Sequence, residues 1–269
     1  MPGPLVALYR MPLSQAALWV LLANVVSFAL TLALGHLLVK LYCRKPITPA
    51  PPPITRREIA LAAGCVAANT LITFVGVALW RVGIIHVGAQ LGWRTPLDTI
   101  VLLLLMDFAM YWLHRIVHQR WLFPLMHVTH HRYDHPRPLT LFVMNPLETL
   151  GFGVLWLVVM WLYSASWLGI ALYLALNLGF GMMGHLGVEP LPAGWVKSPV
   201  LRLISTSTFH AEHHEDGAYN LGFYTLIWDY LFGTLAPDYR KDFAAVQTGQ
   251  SIQSAQPQTA QRTVPASTR

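Results

Sequence analysis

Residues 99–118 read TIVLLLLMDFAMYWLHRIVH, an apolar run that ends in two histidines, His114 and His118. With about 100° of rotation per helical residue, Asp107, Tyr111, His114 and His118 fall within a stripe roughly 60° wide. The stretch therefore predicts a helix that is apolar around most of its surface and polar along one face. Such a helix is typical of a membrane bundle rather than of a soluble fold.

The composition of the whole chain agrees with a membrane environment. Of its 269 residues, 55% are hydrophobic and 11% are charged, whereas about a quarter of the residues in a soluble domain are charged. The formal net charge is +6, but no basic stripe with interleaved aromatic residues indicates nucleic-acid binding. The two cysteines, Cys43 and Cys65, are too few for a disulfide scaffold and lack a metal-type spacing.

Apolar runs predict four or five membrane spans. They cover residues 16–41, 59–80, 99–113, 147–163 and 166–184. The first is long enough to cross the ~30 Å hydrocarbon layer and is expected to be an uncleaved span. The fourth is the least regular, because Glu148 stands at its start.

Basic residues next to the first span predict the orientation of the bundle. Arg44, Lys45, Arg56 and Arg57 outweigh the basic residues on the other side, and such clusters stay in the cytoplasm. The third and fifth spans then end on the cytoplasmic side, where all the motif histidines follow. The expected location is the bacterial inner membrane, or the endoplasmic reticulum in a eukaryote.

The histidines of the second half form three groups with helical spacing. His114 and His118 are four residues apart, and HVTHH at 127–131 and HAEHH at 210–214 each place three histidines at positions 0, 3 and 4. Residues at these spacings share one helix face. A single histidine, His185, follows the fifth span.

Ligand counting predicts two metal ions. A catalytic zinc takes about three protein ligands, so nine imidazoles suit two ions with four or five nitrogens each. Imidazole binds iron, copper, zinc and nickel, and two ions next to lipid favour oxygen chemistry. Isolated histidines such as His36 and His86 are expected to be ordinary hydrogen-bonded residues, and Pro136 is expected to turn His135 away. The candidate ligands are His114, His118, His127, His130, His131, His185, His210, His213 and His214.

In order and spacing these motifs resemble the fatty acid hydroxylase and sterol desaturase superfamily. The resemblance implies a non-haem di-iron centre, molecular oxygen as co-substrate, and hydroxylation or desaturation of a fatty acyl chain, sterol or related membrane lipid. Asn145 stands where many relatives carry histidine and Gly181 where some fatty acid hydroxylases do, which weakens a strict fatty acid 2-hydroxylase assignment. The resemblance covers about residues 107–234 and rests on HRxxH at 114–118, HxxHH at 127–131 and 210–214, His185, NLG at 220–222 and WDYLFGT at 228–234.

Four residues near the motifs are expected to support the ligands: Asp107, Tyr111, Asn220 and Asp229. A carboxylate within the membrane is costly unless it has a function. Asp107, on the face of His114, is expected to accept the second ring N–H of a ligand histidine and so fix its tautomer. Glu148 fits such a role and pairing with a basic residue equally well. No catalytic group beyond the metal centre is predicted.

The chain carries no motif for a further redox cofactor: no GxGxxG after a strand, no CxxCH and no ferredoxin-type cysteine set. Electrons are therefore expected from a separate electron-transfer protein or reductase. The predicted domains are residues 1–95 with N-terminal spans and a linker, 96–241 with the catalytic domain, and 242–269, a polar and disordered tail.

The predicted fold is all-α: a multi-pass membrane helical bundle of four to five spans, with a cytoplasmic helical cap that encloses a histidine-rich dimetal site. Carotenoid hydroxylation and oxygenation of an ether lipid remain as alternatives within the same chemistry. A non-enzymatic metal transporter is the alternative from another class. Transport sites normally lie near mid-membrane with few ligands, whereas here the ligands are many and gathered at one face.

Overall fold

The computed structural model describes residues 3–252, which are mostly helical. Two strands of two residues each, β1 (Val87–Gly88) and β2 (Ala165–Ser166), pair in parallel. The helices are α1 (Gly3–Arg10), α2 (Leu13–Leu41), α3 (Arg56–Arg81), α4 (Arg94–Val117), α5 (Phe123–Met126), α6 (Val128–His131), α7 (Pro146–Leu162), α8 (Trp167–Gly184), α9 (Ser207–Glu215), α10 (Ile227–Phe232) and α11 (Tyr239–Gln247), with 3-10 turns at Pro138–Phe142, Trp195–Lys197 and Leu201–Leu203.

Helices α2, α3, α4 and α8 are long and apolar enough to cross a membrane. Helix α7 has 17 residues, so its length of about 25 Å falls short of the ~30 Å hydrocarbon layer. Large side chains such as Leu18 and Leu30 on α2 are exposed, as expected for a surface that faces lipid. The all-α bundle of four to five spans predicted from the apolar runs is confirmed.

The five long helices alternate in direction, so that α2, α4 and α8 end at one face of the bundle while α3 and α7 begin there. The start of α3 is fixed by a capping box between Thr55 and Glu58, and the Glu58 carboxylate accepts a hydrogen bond from Arg137. At the opposite face, the Asp98 carboxylate accepts from Tyr163 Oη and Ser166 N, which ties α4 to β2.

Helices α9, α10 and α11 form a cap over the face where α4 and α8 end. The proline-rich linker at residues 46–53 lies against this cap, because Ile47 is fully buried and packs with Ala211 and Val246. An isolated bridge between Pro46 and Val188 holds the same segment. The cap therefore covers the region into which the histidine motifs project.

Helix α11 differs from the prediction of a disordered tail from residue 242. It continues through Gln247, and Phe243 and Val246 are fully buried. Ile252 is buried as well, and its N–H donates to the Ile47 carbonyl at 3.0 Å. A few apolar side chains among polar neighbours gave no clear periodicity in the sequence. The rest of the predicted tail, from residue 253, lies outside the described residues.

Candidate metal centre

The nine predicted histidines lie together beneath the cap, in two groups. Within each group the candidate ligand nitrogens lie within 4.8 Å of one another. The groups are neighbours, since the ring centroids of His131 and His214 are 4.8 Å apart. The first group consists of His114, His118, His127, His131 and His213, and the second group of His130, His185, His210 and His214.

Each HxxHH motif contributes to both groups. His127 and His131 belong to the first group, while His130, between them in the motif, belongs to the second. In residues 210–214 the assignment is reversed, because His213 belongs to the first group and the other two to the second. The two motifs thus approach the centre from opposite sides, and each short helix contacts both groups.

Helix ends aim these side chains at the centre. His118 and His185 are the C-cap residues that directly follow α4 and α8. Helix α9 starts at an N-cap, Thr206, whose side chain accepts from Phe209 N. His135 lies outside both groups, beside Asp134, and so do His36 and His86.

Hydrogen bonds to Nδ1, the ring nitrogen that points away from the centre, fix the tautomers of four histidines. Nδ1 of His114 lies 2.8 Å from the Leu221 carbonyl and Nδ1 of His213 lies 2.8 Å from the Tyr219 carbonyl. Nδ1 of His185 lies 2.7 Å from the Gly181 carbonyl. Nδ1 of His127 lies 2.7 Å from the Glu148 carboxylate. The three carbonyl oxygens only accept, as does the Glu148 carboxylate when it is ionised, so each Nδ1 then carries the hydrogen and each Nε2 presents a lone pair.

The Nε2 atoms converge in a way that fits a metal ion. Those of His114 and His127 are 3.0 Å apart. In both rings the single N–H is at Nδ1, so no hydrogen is left to bond one Nε2 to the other. Nε2 of His213 lies 3.1 Å from Nε2 of both His118 and His131. In the His114–His127 pair, two bare nitrogens 3.0 Å apart repel each other unless a cation lies between them.

The same arrangement is present in the second group. Nε2 of His214 lies 3.1 Å from Nε2 of His130 and of His210. Nε2 of His185 is buried and has no hydrogen-bond partner among the described residues. Both groups therefore offer convergent nitrogen donors of the kind that transition metals bind.

Burial keeps these imidazoles neutral at physiological pH. Desolvation lowers the pKa of His131 and of His185 to about 4, and desolvation together with nearby His131 lowers the pKa of His118 to about 4. Desolvation also lowers the pKa of His213 and His214 well below the usual value. Neutral imidazole is the form that binds metal.

Asp107 does not contact a histidine, contrary to the expectation from the sequence. Its carboxylate accepts from Tyr224 N at 2.8 Å, Thr225 Oγ1 at 2.5 Å and Trp228 Nε1 at 3.0 Å. Seven residues separate Asp107 from His114, which places it about 10 Å away along the helix axis. It therefore anchors the segment that follows α9.

The role expected of Asp107 falls to Glu148, in the first turn of α7. His127 and Glu148 are 2% and 3% exposed, and their contact is the histidine–carboxylate pair expected beside a metal ligand. The sequence contained the signal, a glutamate at the start of an apolar run, but left its partner open. The orienting carbonyls of Tyr219 and Leu221 left no signal, because every residue has such a group.

The loop that supplies those carbonyls is held by the other predicted supporting residues. Asn220 has a left-handed φ of 54°, and its amide donates to Phe209 O at 3.0 Å. Asp229 accepts from Leu221 N at 2.8 Å and Gly222 N at 2.9 Å. Tyr111 Oη lies 3.0 Å from Thr234 Oγ1 rather than near a histidine. We therefore expect Asn220 and Asp229 to position His114 and His213 through the backbone.

A cavity of about 200 Å³ lies beside the histidines, between α3, α4, α7 and α8. Its wall is mostly apolar and includes Phe152, Leu178 and Phe180. An apolar cavity with a few polar groups is the usual form of a small-molecule site. The histidines that reach its wall are His114, His127, His130, His185 and His210.

Gly217 packs against the first group and allows a prediction about metal affinity. A Cβ at this position would lie 2.8 Å from His118 Cε1 and 3.0 Å from its Nδ1. We expect Gly217→Ala to displace the His118 ring and to weaken metal binding by roughly 10-fold. The measurement is the metal retained by purified protein as chelator is added. Gly194→Ala is the control, since a Cβ there meets nothing within 4 Å; equal retention by both variants would contradict the prediction.

Comparison with known proteins places this geometry in context. The fatty acid hydroxylase family model matches residues 99–234, about half of the chain. A very-long-chain aldehyde decarbonylase of Oryza sativa subsp. indica is 38% identical over 128 residues, which is 45% of this chain and 21% of the relative. A methylsterol monooxygenase of Arabidopsis thaliana is 32% identical over 133 residues, 48% of each chain. The chain therefore spans no more than about half of either relative, and no solved structure matches it.

Proposed function

This chain belongs to the fatty acid hydroxylase family, and from that membership we propose that it is a membrane-bound di-iron enzyme that uses O2 to hydroxylate or desaturate a lipid. The observation that carries the proposal is the pair of adjacent histidine groups, whose neutral imidazole nitrogens converge. The substrate is a sterol, a fatty acyl chain or a related lipid. The two relatives compared above are named for very-long-chain aldehydes and methylsterols, which are lipids of this kind.

The spacing of the nitrogens supports iron rather than tetrahedral zinc. The Nε2 atoms of His213 and His118, and those of His214 and His210, are 3.1 Å apart. Two nitrogens ~2.1 Å from an ion are about 3.0 Å apart at a right angle but about 3.4 Å apart at the tetrahedral angle. Iron is among the ions that accept imidazole ligands at such angles, as copper and nickel do, and family membership favours iron. We assign one iron to each group.

The protein's own residues position the metal ligands, exclude water from the site and select the substrate. When bound, the iron pair supplies the oxygen activation that C–H oxidation needs. The buried histidines are held by Glu148 and by backbone carbonyls, and the cap excludes water from them. A lipid bound in the cavity lies next to His130 and His185, which form part of its wall. Electrons come from a separate protein donor.

The histidine-bearing face is assigned to the cytoplasm. Arg44 and Lys45 follow α2 at this face, and Arg56 and Arg57 begin α3 there. Clusters of basic residues next to spans remain on the cytoplasmic side. A soluble or membrane-bound electron donor in the cytoplasm then has access to the cap.

The catalytic domain is assigned to residues 96–241.

Two measurements test the proposal together. Purified protein is expected to contain two iron ions per chain, and cells with the native gene are expected to contain a lipid that differs from its precursor by one oxygen or two hydrogens. Cells with His130→Ala, which removes a nitrogen from the second group, are expected to lack that lipid. A single exchangeable ion would contradict the di-iron assignment and support a transporter. Unchanged lipids with two irons bound would contradict the substrate class.

A further inference from the structure

The cavity wall carries a polar cluster away from the histidines. Asn177 and Tyr224 both line the cavity. Tyr224 Oη donates to Asn177 Oδ1 at 2.5 Å and lies 3.1 Å from Tyr173 Oη. Both tyrosines are buried. A polar side chain within an apolar membrane helix such as α8 is costly, and it is retained mostly where it has a function.

The hydrogen bond from Tyr224 fixes the direction of the Asn177 amide. Because Oδ1 accepts the tyrosine hydrogen, the NH2 group is turned away from Tyr224. Among residues 3–252 the NH2 group donates to no side chain or carbonyl. Two N–H donors are therefore available in the wall of a mostly apolar cavity, and a bound oxygen atom would satisfy them.

The charges around the cavity restrict which oxygen fits. Among the described residues that line it there is no lysine or arginine, and Glu148 is the one acidic residue, at the histidine end. A carboxylate or phosphate placed beside Asn177 would lie in an apolar setting without a counter-ion, which is strongly unfavourable. A hydroxyl, carbonyl or ester oxygen accepts from the amide at a much smaller desolvation cost.

The position of Asn177 on α8 sets the distance to the metal centre. It precedes His185 by eight residues, which corresponds to about 12 Å along the helix axis. Phe180 and Gly181 line the cavity between these two positions. A ligand held by Asn177 thus has room for a hydrocarbon segment before it reaches the histidines.

We propose that Asn177, oriented by Tyr224, binds a neutral oxygen of the substrate and so selects lipid alcohols, aldehydes, ketones or esters over free fatty acids. This oxygen site lies about 12 Å along α8 from His185. The inference rests on the proposed function, because the cavity is a substrate site only if the adjoining histidines hold the reactive metals.

The test measures binding without turnover. Iron-loaded protein in nanodiscs is kept under nitrogen, and its thermal unfolding is followed against the concentration of four neutral probes and one charged probe. The neutral probes form two pairs, octadecan-1-ol with octadecane and 5α-cholestan-3β-ol with 5α-cholestane; the charged probe is stearate. In at least one pair the alcohol is expected to saturate at a roughly tenfold lower concentration than the alkane, and stearate is expected to bind no better than octadecane.

Variants show whether Asn177 is responsible. Asn177→Leu is expected to remove the preference for the alcohol. Tyr224→Phe, which frees the amide to rotate, is expected to reduce the preference to roughly threefold, and it serves as the test if Asn177→Leu does not fold. Asn24→Leu is the control, since Asn24 bonds within its own helix, to Val20 O, and does not line the cavity.

The outcomes separate the subsite from the proposed function. No preference in either pair, a preference that survives Asn177→Leu, or tight binding of stearate would overturn the subsite. Iron is counted in the same samples. A preference that is present in protein unable to bind two irons would contradict the di-iron enzyme while leaving the subsite intact.

Discussion

His213→Ala is expected to abolish lipid oxidation and to lower the iron content from two ions per chain to one or none. His213 is the residue around which the first group converges, because its Nε2 lies 3.1 Å from Nε2 of both His118 and His131. Nδ1 of its ring forms a hydrogen bond with the Tyr219 carbonyl at 2.8 Å, which fixes the orientation of the ring. Losing a direct ligand should cost more than the roughly 10–100-fold that loss of an outer partner costs.

The measurement combines iron analysis of purified protein with the rate of formation of the oxidised lipid. His86→Ala is the matched control, because His86 is exposed and lies outside both groups. The control is expected to keep both irons and full activity. If His213→Ala retained two irons, the first group would not be a metal site as assigned.

Glu148→Ala is expected to lower metal affinity or activity by roughly 10–100-fold although it removes no ligand. The Glu148 carboxylate accepts the Nδ1–H of His127 at 2.7 Å, and both groups are buried. Without the carboxylate this N–H has no partner, and the ring is free to rotate away from His114. Glu148→Gln keeps an acceptor oxygen of the same shape and is expected to recover most of the loss.

Chelator competition and activity of the two Glu148 variants, with their thermal unfolding, check this prediction. A variant that unfolds near the native temperature but loses iron more readily has lost orientation of the ligand rather than its fold. Full activity in Glu148→Ala would show that the His127 ring needs no support. An equal loss in the alanine and glutamine variants would show that the negative charge matters rather than the acceptor.

The candidate ligands could be predicted from the sequence because their signal is local. Residues three and four apart share a helix face wherever the helix lies, so His127 and His130 could be recognised without a tertiary structure. Their assignment to different groups could not be predicted, since it depends on how α6 and α9 meet across the centre. The membrane spans could also be predicted from a local signal, the apolar run, and their observed bounds differ from the predicted ones by only a few residues at most ends.

Supporting contacts were harder to predict because they join distant parts of the chain. Asp107 was placed beside His114 by helical spacing, yet its partners follow it by more than 110 residues. Glu148 and His127 are 21 residues apart and on different helices. The burial of Ile252 similarly depends on the linker residue Ile47, which no periodicity in either segment connects.

The four-residue helix α6 links the two histidine groups, and this affects how their spacing responds to changes in bilayer thickness. Neighbouring residues of one helical turn, His130 and His131, point into different groups. The separation of the two histidine groups is therefore set largely by bond lengths and backbone pitch, quantities that hardly vary. When a thinner or thicker bilayer tilts the long helices, we expect the two groups to move together and to keep their spacing.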